Sequence, residues 1–554
     1  MRPRFDLRNA IINSFSFYPE AWIIGVGIIL RLRHFLENRA FWLDETCAAI
    51  SITSRSFSEI GSGHEILTEF ARLPMLFSII EKFVVAILGN NEMALRLFPF
   101  LCGIGALILF QVVTKRTLSR RPFLISLTFF ALAEPLVYYS AELKQYSTDL
   151  LCAIALIDLS RRLLEKEFRL SYCLLLAFTG ALALWLSNAM IFVLAGAGMV
   201  FLLNKPWKKG QYPVIRLCGI AIVWLMSFVL LYNVSLRHMV GNSSITDTWK
   251  GAFCTSPIFS FQTVAWGWTV ITESFPNPVG LKWWWFILPC FLLGVRVLWR
   301  KDRNTTLLWL LPIVLTFLAA LLGKYPFYGR VLLFLTAGYY IFIACAIDRL
   351  LARIQPFGKK WVFIILAVVF IQPITDAGYH AIHSRSKTEN RAVMNFLADY
   401  YKPGDFIYLS TLAQEPFWYY AGMTGLSRTF PQPIIGFADG KLIRGFKIAK
   451  FALDPKEING QEYLFFRNEY NIFDDNGMFR SVMSSQKDSA NIAFVPLNAV
   501  YPYPPTGRTW LIVSGPSPLE AGVNALIRGS FDKKAKRLLS YDALNAGVYL
   551  YDLQ

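Results

Sequence analysis

The chain has 554 residues, of which 55% are hydrophobic, 16% aromatic and only 17% charged. A soluble domain carries about 25% charged residues, so this deficit, with many long apolar runs, excludes a soluble globular protein and implies a polytopic membrane protein. The formal net charge of +18 sits largely in short Lys/Arg clusters between apolar runs, where positive charge reports orientation and not nucleic-acid binding.

The chain starts basic, at Met1-Arg2-Pro3-Arg4, and the apolar run that follows lacks a small-residue cleavage site. This reads as a retained first span over 21–35, with Arg2, Arg4 and Arg8 holding its start in the cytoplasm. A polar stretch over 36–73 follows and carries Phe41-Trp42-Leu43-Asp44-Glu45. The run over 74–88 is short, with Glu81 and Lys82 in its middle. If it crossed, the cluster Lys115, Arg116, Arg120 and Arg121 would face outside, against the positive-inside rule. It is therefore expected to lie as a helix at the external interface. Spans at 94–113, 123–139 and 146–164 then run inward, outward and inward. The run over 170–203 is too long for one span of about 20 residues, and Ser187-Asn188 breaks it into two passes. Spans at 214–232, 283–299, 307–322, 331–347 and 361–378 complete about eleven crossings by the same length criterion. A long external loop separates 232 from 283. The odd number puts the C-terminal tail outside.

Beyond residue 380 apolar residues come in short groups separated by turn signals. The pattern predicts helices over 389–401 and 518–528 and strands over 406–409, 509–513 and 547–551. The expected fold is mainly α. It comprises a polytopic helical membrane domain over 1–380, with interfacial helices in the first external loop, and an external α/β domain over 381–554. No nucleophile elbow, P-loop or dinucleotide fingerprint appears. The eight cysteines are scattered singly; Cys47 and Cys254 fall in predicted external loops, which leaves one pairing open. His380 and His383 stand three residues apart without a further ligand in sight, and His64-Glu65 is equally isolated.

Four polar stretches fall on the external face in this topology. They are Asp44-Glu45; Arg72-Leu73-Pro74 with Arg96; Tyr138-Tyr139-Ser140-Ala141-Glu142-Leu143-Lys144-Gln145-Tyr146 with Asp149; and Lys324-Tyr325-Pro326-Phe327-Tyr328-Gly329-Arg330. An ionisable group at membrane depth is a functional-site hypothesis by default. The set suits a sugar carried on a lipid phosphate: cations neutralise the leaving phosphate, a carboxylate takes the proton of an incoming hydroxyl, and tyrosines stack on the sugar. Plainer readings stand beside this one. Asp44 and Glu45 also fit a solvated loop pair. Lys324 and Arg330 fit snorkelling anchors, Glu142 and Lys144 an exposed ion pair, and Arg96 an interface anchor. Asp149, one turn into a span, is hardest to dismiss.

These residues carry a family resemblance. An acidic pair in the first external loop, followed by an Arg-led span, resembles the GT-C superfamily of integral-membrane glycosyltransferases. Tyr139-Ser140-Ala141-Glu142-Leu143-Lys144-Gln145-Tyr146 looks like the bacterial pattern Tyr-Ser-x-Glu-x-Arg-x-Tyr. Lys324-Tyr325-Pro326-Phe327-Tyr328-Gly329-Arg330 is similar to the Tyr-Pro-x-x-x-Arg element of the group that includes protein O-mannosyltransferases and lipid A aminoarabinose transferases. The resemblance implies a polyprenyl-phosphate-linked sugar donor and inverting transfer to a hydroxyl of a lipid, glycan or protein outside a cytoplasmic membrane. Asp44 would be the catalytic base, with Glu45 supporting it. Lys144 and Arg330 would lie near the donor phosphate. Arg72, Arg96, Tyr139, Glu142, Tyr146, Asp149, Lys324 and Tyr325 complete the implied substrate-binding set. The sequence departs from the pattern in two places: Arg72-Leu73-Pro74 replaces His-Pro-Pro or Lys-Pro, which leaves donor and acceptor identity unassigned, and Lys144 replaces Arg, keeping the charge without its bidentate geometry. A divalent metal is compatible with carboxylates near a phosphate, although no metal ligand is assigned. Two other functions remain open. A transporter or flippase would place charges through the midplane and often shows related halves; a non-catalytic scaffold would tolerate Asp44→Asn.

Overall fold

The computed structural model describes residues 18–62, 73–238, 250–257, 259–402 and 405–424, and further on 434–438, 441–445, 456–458, 461–463, 492–495, 507–515, 518–533 and 535–553. The first helices are α1 (Pro19–Leu36), α2 (Leu43–Thr53), α3 (Phe57–Gly61), α4 (Met75–Leu88), α5 (Glu92–Thr117), α6 (Arg120–Leu132), α7 (Glu134–Tyr138) and α8 (Tyr146–Glu165). There follow α9 (Leu170–Leu186), α10 (Met190–Leu203), α11 (Gln211–Val234), α12 (Phe261–Ser274), α13 (Trp284–Lys301), α14 (Arg303–Leu321), α15 (Thr336–Ile354) and α16 (Lys359–Ile382). The last are α17 (Asn390–Tyr400), α18 (Gln414–Met423) and α19 (Pro518–Asp532). Two compact units result: Met1–Glu37 with Leu73–Ser384, and Asn38–Arg72 with Arg385–Gln554. The segment bearing Asp44-Glu45 thus groups with the C-terminal residues, although in sequence it lies inside the expected domain over 1–380.

In the first unit, six helical segments among the described residues are long and apolar enough to cross a membrane, or seven if the bent pair α6–α7 is one span. The remaining expected passes also form helices. Each of α1, α8 and α13 carries more than two charged residues (Glu20, Arg31 and Arg33 in α1, for example), and α9 has only 17 residues. The break expected at Ser187-Asn188 separates α9 from α10. The span expected over 123–139 is instead bent by 54° between α6 and α7. The reason is chemical: Pro135 has no N–H to offer the Ala131 carbonyl. Arg31, 1% exposed in α1, supplies the missing donor, with Nη1 at 3.2 Å from Ala131 O and Nη2 at 3.2 Å from Phe130 O. The stretch read as one long external loop contains a helix, α12, begun by Ser260, whose hydroxyl accepts from Thr263 N. Its aromatic-rich apolar residues lack the length of a span, so the length criterion passes over it.

The second unit is built on a five-stranded sheet in the order β6-β1-β7-β9-β8, with β1 at Phe406–Ser410, β6 at Ile492–Val495, β7 at Gly507–Ser514, β8 at Lys536–Ala543 and β9 at Ala546–Leu553. Strand β1 pairs in parallel with β6 and β7, while β9 runs antiparallel to β7 and β8. The hairpins β2–β3 (Ile434–Ala438, Lys441–Gly445) and β4–β5 (Lys456–Ile458, Gln461–Tyr463) stand as separate two-stranded ribbons. Both faces of β7 and β9 are covered, so that the neighbours Trp510 and Leu511, and likewise Leu550 and Tyr551, are completely buried. Asp405, buried before β1, accepts from Arg508 Nε and Trp510 Nε1, both at 2.8 Å. The strands expected over 406–409, 509–513 and 547–551 correspond to β1, β7 and β9, and the expected helices to α17 and α19.

Candidate active site

Within the first unit, α7 passes into a single 3-10 turn, Tyr139–Ala141, and then an extended Glu142 before α8 begins at Tyr146. The loop is closed by Ser147, whose hydroxyl donates to Tyr139 O at 3.0 Å. Helix α5 approaches it so closely that a Cβ on Gly103 would lie 2.6 Å from Ser140 Cβ. Tyr139 and Tyr146 meet edge to face, 5.3 Å between centroids. The Arg330 guanidinium lies 5.8 Å from the Tyr146 ring centroid, so the second motif folds onto the first. Glu142 is 0% and Lys144 5% exposed, which removes the reading of an exposed ion pair. Arg96 is buried on the same face of α5 as Glu92, one turn away.

Asp149, also buried, has its Oδ1 without a hydrogen-bond partner. Tyr325 is half-buried; its hydroxyl donates to Val331 O at 3.2 Å. Burial, and secondarily the charge of Asp149, raise that hydroxyl above its ordinary range, so Asp149 and Tyr325 share one environment. Lys324 is exposed, unlike Lys144. The structure therefore gathers Tyr139, Tyr146 and Arg330, and separately Asp149 and Tyr325, and leaves Lys324 at the surface. Arg72 and His64-Glu65 lie outside the described residues.

Within the second unit, Asp44 and Glu45 occupy the first turn of α2, where the helix dipole favours negative charge. They are 5% and 1% exposed, not a solvated loop pair. Helix α2 packs on α18. The backbone just before it is held by Tyr420 and Asn390, two residues to which the sequence drew no attention. No local signal could have found them, because the contact is tertiary. Glu81 is different: it is 0% exposed in α4, and both its carboxylate oxygens lack hydrogen-bond partners. Burial drives its carboxyl well above the usual range. A carboxylate in the middle of an apolar run is a signal for a functional site, whereas at the level of sequence it counts only against a span.

Among the described residues, no group of three or more His, Cys, Asp or Glu side chains converges as metal ligands. His383 instead stacks on Tyr379, 4.3 Å between centroids. Cys47 and Cys254 are both free thiols.

Residues 72–232 match the family model described as dolichyl-phosphate-mannose-protein mannosyltransferase. Over 96% of this chain and 98% of the other, the fold aligns with ArnT from Cupriavidus metallidurans in the apo state, at 10% identity and a TM-score of 0.50. The resemblance to the GT-C glycosyltransferases is borne out. ArnT bound to undecaprenyl phosphate aligns at 10% identity and a TM-score of 0.48, again over 96% of this chain and 98% of that one. The Archaeoglobus fulgidus oligosaccharyltransferase complexed with Zn and sulfate aligns over 72% of this chain at 11% identity and a TM-score of 0.48; this chain spans 61% of its length. No curated protein matches in sequence. The matched family model describes mannosyltransferases, and the alignment with apo ArnT shows a shared fold for this multi-pass, mainly helical chain.

Proposed function

We propose that this chain transfers a sugar from a polyprenyl-phosphate carrier to a hydroxyl acceptor, with inversion, on the external face of a cytoplasmic membrane. The observation that carries this reading is the Arg330 guanidinium over the Tyr146 ring, which joins two motifs far apart in sequence into one cationic, aromatic cluster. Further support is the description of the matched family, which names a lipid-phosphate sugar donor and whose match includes Tyr139 through Asp149.

In the proposed step the acceptor oxygen attacks the anomeric carbon while its proton passes to the Asp44 carboxylate. The bond from that carbon to the phosphate oxygen breaks, and the polyprenyl phosphate departs as the anion. Lys144 and Arg330 neutralise the charge it gains. Tyr139 and Tyr146 offer faces and edges to the sugar ring. Glu45 supports Asp44, and Arg72, Arg96, Glu142, Asp149, Lys324 and Tyr325 complete the donor and acceptor surroundings.

The test is mass spectrometry of envelope lipids, glycans and proteins from a host lacking the gene, complemented with the full chain or with its Asp44→Asn variant. One sugar should be missing from one acceptor in the deletion, restored by the full chain and not by the variant. An unchanged envelope in the deletion, under conditions where the protein is made, would sink the proposal.

A further inference from the structure

Phe41 stands three residues before Asp44, and both of its backbone polar groups are held by side chains of the C-terminal part of the same unit. Its N–H donates to the Tyr420 hydroxyl at 2.6 Å, and its carbonyl accepts from Asn390 Nδ2 at 3.1 Å. The two holders come from different elements, α18 and α17. Asn390 is itself fixed: its Oδ1 accepts from Ser514 Oγ at 2.8 Å, and its Nδ2 also donates to Thr388 Oγ1 at 2.9 Å. Ser514 is the last residue of β7, at the centre of the sheet, so the hold on Phe41 is tied to the central strand of the unit.

The side chains agree with the backbone. The Phe41 ring is fully buried, 5.2 Å from the Tyr419 ring, and the Lys387 ammonium sits 3.4 Å over the Trp42 ring. Trp42 is the N-cap of α2, so nothing flexible separates this hold from the first helical turn that carries Asp44. Burial explains why the backbone groups need partners. It does not require that side chains from two remote elements converge on one residue beside the acidic pair.

We propose that Tyr420 and Asn390 are positioning residues for Asp44, making the C-terminal unit the part that sets the place and direction of the general base. This rests on the reading of Asp44 as that base. A reacting group displaced by about 1 Å can cost about 10²-fold in rate, and a hydrogen bond to a buried amide is lost in Tyr420→Phe without a change in shape.

The experiment compares the full chain with Tyr420→Phe, Asn390→Ser and Asp44→Asn, and with each positioning variant combined with Asp44→Asn. Product formation is read by mass spectrometry, affinity with undecaprenyl phosphate as the probe, and folding by thermal melting. Tyr420→Phe and Asn390→Ser should each lower turnover by about tenfold with undecaprenyl phosphate affinity unchanged, and neither should lower it further when Asp44 is already Asn. Two variants are used so that failure of one to fold leaves the other decisive. If Asp44→Asn is inactive while folded positioning variants turn over like wild type, the positioning role is wrong and the base assignment survives. The positioning role is equally wrong if their losses add to that of Asp44→Asn, or if affinity for the probe falls with turnover. If Asp44→Asn itself retains wild-type turnover, the base assignment fails and takes this proposal with it.

Discussion

In the membrane unit the residues of the candidate site arrive in short contiguous runs. Tyr139, Glu142, Lys144 and Tyr146 are set by one turn between two helices, and a second run supplies Arg330. In the C-terminal unit the acidic pair is local only in sequence. Its approach is held by Tyr420 and Asn390, 379 and 349 residues away from Phe41. That turn can place cations and tyrosines because it leads into the 20-residue α8 and is packed closely by α5 at Gly103. A short helix after a polar stretch has no such support and takes its position from a sheet. Errors in the first region should therefore show as affinity and turnover lost together, and errors in the second as turnover lost alone.

The largest effect should come from Asp44→Asn. Removing a general base costs about 10²–10⁴-fold in rate, and undecaprenyl phosphate binding should persist, because the cations proposed for the phosphate belong to the other unit. Glu45→Gln should be milder. The comparison breaks if Glu45→Gln abolishes product while Asp44→Asn keeps most of it in a folded protein, for then the base is the other member of the pair.

Next should come Arg330→Ala. A donor aimed at developing charge is worth about 10²-fold or more in rate, and here turnover and undecaprenyl phosphate affinity should fall together. Wild-type values for both would make Arg330 a headgroup anchor and leave the membrane unit without its expected share of the chemistry.

A third change addresses the membrane unit's scaffold. A Cβ on Gly294 in α13 would lie 1.7 Å from the Phe342 carbonyl oxygen in α15, and backbone cannot retreat as a side chain tip can. Overpacking costs about 1–3 kcal/mol, so Gly294→Ala should lower the melting temperature. Limited proteolysis should show earlier cleavage between α13 and α15, with the C-terminal sheet no more sensitive than before. Equal sensitivity in both regions would mean that they unfold as one.

The smallest effect concerns Glu37, which ends α1. Burial opposes its ionisation, but hydrogen bonds with His34 and Ser384 and the charges of His34 and Arg33 prevail and bring it from an ordinary 4.5 down to about 2. A folded-state value below the unfolded one stabilises fully above the unfolded value and is lost as pH falls through the folded one. Glu37→Gln should therefore destabilise by about 1 kcal/mol above pH 4.5, and the difference from wild type should close between pH 4.5 and 2. A difference that persists at pH 2 would assign the contribution to packing.

The sequence alone determined most of what depends on short range. Apolar runs and basic clusters set the helices, because a chain that must satisfy its backbone within lipid has few alternatives to helix. The order and types of the motif residues 139–146 and 324–330 were likewise legible, since each motif is contiguous. Legibility failed where charge or partnership acts through space. Pro135 was visible, but the bend it makes is stabilised by Arg31 from another helix. Phe261–Ser274 was apolar but too short for a criterion built on membrane thickness. Only the tertiary structure decided that Lys144 and Glu142 are buried, that Arg330 lies over Tyr146, and that Asp44-Glu45 joins the C-terminal unit through Phe41. Each of these is a contact between residues whose separation along the chain carries no local pattern, and burial, not propensity, selects it.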